Sequence, residues 1–146
     1  MNILFLDIDG TLVTRSHQQS ISYKEMDDGL PYFDPEVVEV VKEYCKITNS
    51  DIVVISTWRT AGLERIQEIF EKRGIERVIG VTPIGFEFKT RGEEIRCWIN
   101  NSYDDIDKFI IVNDRNIETL EHALLKTNPL DGFVDLDDAL KLFENS

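Results

Sequence analysis

Asp7 and Asp9 close an apolar run, Ile3-Leu4-Phe5-Leu6-Asp7-Ile8-Asp9, and are followed at once by Gly10 and Thr11. At i, i+2 on a β-strand both carboxylates face one side, about 6–7 Å apart along the chain. Gly10 lets the backbone turn sharply, and Thr11 offers a hydroxyl just beyond that turn. Two acids at the end of a buried strand are costly unless a cation sits between them. The pair therefore points to a divalent metal, or to a phosphate with its counter-charge.

The elements that must position these acids alternate between strand and helix. After the first strand, residues 14–33 are polar and irregular and read as a short flap. Asp34-Pro35-Glu36 is an N-cap, a first-turn proline and an acid, which predicts a helix with Val37, Val38, Val41, Tyr44 and Cys45 as its apolar stripe. Residues 51–56 form a continuous apolar run, as expected of a strand covered on both faces. Leu63, Ile66, Ile69 and Phe70 mark a second helix that Gly74 stops.

Residues 77–81 are predicted as a third strand, 82–90 as a loop, and 92–99 as a helix with Ile95, Trp98 and Ile99 on one side. A fourth strand is expected over 108–113 and a fifth, at an edge, over 123–125. Asp135 caps a last helix carrying Leu136, Ala139, Leu140 and Phe143. This alternation predicts a three-layer α/β, Rossmann-like fold: a mainly parallel sheet covered on both faces, with no inserted cap domain. Residues 1–146 are expected to form one domain.

In such folds ligands sit outside the carboxyl ends of the strands. The first strand carries Asp7 and Asp9 there, the second Ser56, Thr57, Trp58 and Arg59, and the fourth Asn113 and Asp114. Lys89 and Arg91 stand at the start of the helix between the last two. Two acids, a hydroxyl, a cation and another acid are thus expected on one rim.

Asp7-Ile8-Asp9-Gly10-Thr11, Ser56, the cation and Asp114 resemble, in order, the four motifs of the haloacid dehalogenase (HAD)-like phosphatases. Ser56-Thr57-Trp58-Arg59, Thr82-Pro83, Arg91-Gly92-Glu93-Glu94-Ile95 and Asn128-Pro129-Leu130-Asp131-Gly132-Phe133 are similar to a small branch found in multi-domain RNA-repair proteins. The resemblance covers nearly the whole chain.

It implies a Mg²⁺-dependent phosphatase. Asp7 would attack phosphorus in line and form an aspartyl-phosphate, which splits one hard hydrolysis into two easier steps. Asp9 would protonate the leaving oxygen and then take a proton from the attacking water. Asp7, Asp114 and the main-chain carbonyl of Asp9 would hold Mg²⁺. Ser56 would bind a phosphoryl oxygen, and Arg91 or Lys89 would offset its charge. Arg91 is favoured by its place in the branch motif. The family commonly has two adjacent acids in its last motif. Here the first is Asn113, which is expected to orient Asp114 from behind.

The remaining polar residues have plainer readings beside the functional ones. Ser56 and Thr57 also suit a strand end as backbone caps. Thr57 and Arg59 are candidate substrate contacts, Arg59 being balanced between that role and an ion pair with a helix acid, and Trp58 reads as packing. Glu93 and Glu94 suit a helix N-terminus. His17 lies in the flap and His122 near a helix end. Asp104, Asp105 and Asp107 read as a solvated turn, without the spacing of a calcium loop.

The acidic excess, 28 Asp and Glu against 16 Lys and Arg for a net charge of −12, argues against broad nonspecific nucleic-acid binding. No apolar run is long enough for a membrane span, and no leader is visible. Cys45 and Cys97 read as reduced, buried thiols, so a cytoplasmic location is expected. With so short a flap the site is open and suits the end of a polymer or a macromolecular surface. The RNA-repair resemblance suggests a terminal 3′- or 5′-phosphate of a nucleotide or nucleic acid. Two other classes share parts of this pattern. A receiver-like signalling domain needs an acceptor Asp at the end of the third strand, where Val81-Thr82-Pro83 stands. A silent HAD-like scaffold would fit Asn113 but not the intact Asp7, Asp9 and Asp114.

Overall fold

The computed structural model describes residues 1–20 and 25–146. Its centre is β1 (Asn2–Leu6), four of whose five residues are fully buried, as a strand covered on both faces requires. β2 (Ser50–Val54) and β4 (Lys108–Asn113) pair with it in parallel on either side. β3 (Val78–Val81) and β5 (Leu124–Lys126) form the edges, for the order β3-β2-β1-β4-β5. Leu6 is level with both Val54 and Val112, so the chain leaves all three central strands at one rim.

Strand alternation divides the core. Leu4, Leu6, Ile52, Val54, Ile110 and Val112 face α2 (Pro35–Thr48), α3 (Leu63–Lys72) and α5 (Leu136–Glu144). Ile3, Phe5, Val53, Ile55 and Ile111 face α4 (Arg91–Asn100) and the segment carrying Ile117 and Leu120. Asp34 caps α2 through the amide of Glu36, with Pro35 in the first turn, and Asp135 caps α5, both as predicted. No helix among the described residues is long and apolar enough to cross a membrane.

Several boundaries differ from expectation. β2 ends at Val54 because Ser56 caps a 3-10 turn, Thr57–Ala61. β3 begins at Val78, and β5 is displaced to Leu124–Lys126 because Ala123 closes a 3-10 turn. The predicted flap contains the short α1 (Arg15–Gln18) and a bridge between Glu25 and Pro31, while residues 21–24 lie outside the described residues. The larger correction concerns the acids. β1 stops at Leu6, so Asp7 and Asp9 lie beyond the strand rather than on one of its faces.

Candidate active site

The backbone around the acids is held by contacts from distant parts of the chain. Asp7 extends the line of β1 by donating its amide to Val112 O (3.1 Å), and the carbonyl of Ile8 then accepts from the amides of Thr11, Leu12 and Val13. This tight loop needs Gly10, whose φ is +76°. A side chain there would also overlap the Asp114 carboxylate, with Cγ only 2.9 Å from the position of a Cβ. The loop thus presses directly against the last acidic motif. Thr11 is fully buried, and its hydroxyl meets that of Thr127, which also donates to Gly10 O (3.0 Å). The 128–133 segment supplies a second brace. Phe133 donates to Thr11 O, while Arg15 and Ser16 donate to Pro129 O and Leu130 O.

These contacts separate the environments of the two carboxylates. Asp7 is buried and Asp9 exposed. Burial pushes the Asp7 carboxyl up to about 6, against the opposing pull of Arg91 and the amide of Ile8, and Asp114 and Asp9 raise it further. Arg91 Nη1 stands 3.4 Å from Asp7 Oδ1. Asp9 Oδ2 accepts a hydrogen bond from the indole N–H of Trp58 at 3.2 Å.

Around them a cavity of about 190 Å³ is lined by Asp7, Asp9, Ser56, Thr57, Arg91, Asp114 and Arg115. Larger clefts lie elsewhere, about 420 Å³ between α2 and the Gly74–Arg77 loop and about 700 Å³ between β3 and α4. Neither gathers opposed acids and cations at the strand ends, so chemistry rather than volume locates the site.

Ser56 is buried at the end of β2, where its Oγ accepts from the amide of Trp58 (3.2 Å). Its O–H remains a donor without an acceptor among the described residues, so capping and phosphoryl binding are compatible roles. Thr57 is exposed on the cavity wall. Arg91 opens α4, where Thr90 caps the helix through the amide of Glu93. Glu93 in turn accepts from the amide of Lys89 (2.6 Å). The Lys89 residue is exposed and does not line the cavity, which leaves Arg91 as the cation beside Asp7.

Arg59, a candidate for substrate contact, is turned inward instead. It is buried, ion-paired with Glu94 on α4, and donates to the carbonyls of Ile55, Ser56 and Thr82. Its planar fork ties β2, the chain after β3 and the first turns of α4 together, and so sets the helix that presents Arg91. Burial lowers its affinity for a proton, an effect that Glu94 opposes.

Asn113 is buried at the end of β4, but its contacts differ from those expected. Its Oδ1 faces Arg91 Nη1 at 3.5 Å, and its Nδ2 donates to Arg115 O (3.0 Å). It therefore steadies the cation and the turn containing Asp114 rather than the Asp114 carboxylate itself. A second acid here would compete with Asp7 for Arg91.

One residue of the cavity and one polar contact beside it were not legible in the sequence. Arg115 lines the cavity, and its only signal was adjacency to Asp114. Trp58 packs as expected, yet its N–H also holds Asp9, a pairing that spans 49 positions. His17 and His122 do not line the cavity, and Asp104, Asp105 and Asp107 are exposed. Among the described residues no three His, Cys, Asp or Glu side chains stand close enough to hold an ion by themselves. The Asp7 and Asp114 carboxylates with the main-chain oxygen of Asp9 fit Mg²⁺, which prefers hard oxygens and keeps several waters. The burial of Asp7, which Arg91 and the amide of Ile8 offset only in part, is what such a cation would relieve.

The family model for the HAD domain in Swiss Army Knife RNA repair proteins matches residues 3–138. Comparison with curated proteins finds no match.

Proposed function

The chain belongs to the family of HAD domains of Swiss Army Knife RNA repair proteins, and from that membership we propose that it is a Mg²⁺-dependent phosphatase acting on a terminal phosphate of a nucleotide or nucleic acid. The carrying observation is the buried Asp7 flanked by Arg91 and Asp114, with the exposed, tethered Asp9 two residues on.

A phosphate monoester repels nucleophiles, so the site must neutralise charge and align the attack. Arg91 and the hydroxyl of Ser56 bind phosphoryl oxygens. A carboxylate oxygen of Asp7 attacks phosphorus as the ester P–O bond breaks, and Asp9 gives its proton to the departing oxygen. The ionised Asp9 then takes a proton from water, whose oxygen attacks the aspartyl-phosphate and frees phosphate and Asp7. A Mg²⁺ ion held by Asp7, Asp114 and the Asp9 carbonyl would supply further positive charge at the phosphoryl oxygens.

The substrate class rests on the family and on the open cavity. No domain covers the cavity among the described residues, and the exposed Thr57 and Arg115 reach its rim. The test is hydrolysis of an aryl phosphate with and without Mg²⁺, beside Asp7→Asn, followed by 3′- and 5′-phosphorylated oligonucleotides. Metal-dependent turnover that Asp7→Asn abolishes is expected. Absence of turnover on every ester, with no Mg²⁺ binding by calorimetry, would overturn the reading in favour of a silent scaffold.

A further inference from the structure

Asp9 sits beyond β1 on the turn that Gly10 permits, and it is exposed. An exposed carboxylate samples several rotamers, whereas proton transfer to a leaving group requires one. Among the described residues, the indole N–H of Trp58 is the one side-chain hydrogen-bond donor to it. We propose that Trp58 is a positioning residue that holds Asp9 for proton transfer to the leaving group; this rests on the phosphatase reading above.

The chemistry of the contact suits that task. An indole N–H only donates, so it can neither take the proton of Asp9 nor replace it. It bonds Oδ2 whether the carboxyl is protonated or ionised, and leaves Oδ1 to carry the proton to the substrate. The same residue donates its backbone amide to Ser56 Oγ (3.2 Å). One residue therefore links the phosphoryl-binding hydroxyl, through its backbone amide, to the group that serves the leaving oxygen, through its indole N–H.

Trp58 is itself held from behind. Its ring packs on Phe33 (centroids 6.4 Å apart), which is buried against Phe70 at 5.1 Å and beneath the Arg73 guanidinium at 5.2 Å. Arg73 is locked by both oxygens of Asp28 (2.9 and 3.0 Å) and by the carbonyls of Pro31 and Ile69 (both 3.0 Å). A ring that merely filled space would not need its one polar atom on a catalytic acid.

Trp58→Phe keeps an aromatic ring against Phe33 and removes the N–H. The readout is kcat/KM for two esters, an alkyl phosphate and an aryl phosphate whose phenol departs as phenolate unaided. The expected result is a loss of about tenfold or more on the alkyl ester, a change within about threefold on the aryl ester, and a melting temperature lowered by no more than a few degrees. In an Asp9→Asn background the same substitution is expected to change neither ester further. Equal losses on both esters, or no loss on either, would overturn the positioning role while leaving the phosphatase reading intact. Absence of wild-type turnover on both would overturn the two together. Should Trp58→Phe not fold, Phe33→Leu loosens the ring from behind and is held to the same selective pattern, with equal losses again refuting the proposal.

Discussion

Asp7→Asn should make the metal-free protein more stable even as it destroys activity. The native carboxyl sits near 6 against an ordinary value of 3.8, chiefly because burial disfavours its charge. At about 1.4 kcal/mol for each tenfold change in proton affinity, that difference comes to about 3 kcal/mol of penalty. The penalty is absent below the unfolded-state value, grows as pH rises from about 4 to 6, and is complete above that window. That penalty is already net of the pull of Arg91, so an amide at position 7, which carries no charge to desolvate, escapes it in full. The gain is about 3 kcal/mol at pH 8, or roughly 6–12 °C in melting temperature for a chain of this size. Thermal melts in chelator at pH 8 and pH 4 measure it, and at pH 4 the difference should shrink below about 1 kcal/mol. Millimolar Mg²⁺ should raise the melting temperature of the native protein and not of the variant. A variant less stable than the native protein at pH 8, or an equal gain at both pH values, would refute the assignment of Asp7 as a desolvated carboxylate that its neighbours compensate only in part.

Gly10→Ala should weaken Mg²⁺ binding at least about tenfold by calorimetry, because the new methyl meets the Asp114 carboxylate at a backbone φ of +76°. Arg59→Ala should cost about 2–4 kcal/mol in urea unfolding, since it strands the partly buried Glu94 charge and three backbone carbonyls, and Arg59→Lys should recover little because an ammonium cannot span the same four acceptors. The Asp28 carboxyl is held down at about 2, first by its hydrogen bond to Arg73, so its contribution is present above the unfolded-state value near 3.8 and is lost as pH falls through 2. Asp28→Asn should therefore cost about 1–2 kcal/mol at pH 7 and converge with the native protein in acid, as followed by pH-jump unfolding.

Comparison of particular elements shows where local information suffices. Asp34-Pro35-Glu36 starts α2 where expected, and Gly74 follows α3, because caps and prolines act through the backbone beside them. The strand runs at 108–113 and around residues 3–6 were legible because both faces of a central parallel strand are apolar. Boundaries slipped where a side chain intervened, as when Ser56 capped a turn and ended β2 early.

By itself, the order of residues determined the layered α/β class, the rim on which Asp7, Asp9, Ser56, Arg91 and Asp114 gather, and the family they belong to. Residue type, period and spacing are local quantities, and they carry that much. Tertiary structure alone decided that Asp7 is buried while Asp9 is not, that Arg91 rather than Lys89 stands beside Asp7, and that Arg59 faces inward to Glu94. It also decided that Asn113 serves Arg91, that Trp58 holds Asp9, and that the 128–133 segment braces the loop after β1. Each of these outcomes depends on the burial and direction of side chains far apart in the chain, and no local period encodes either.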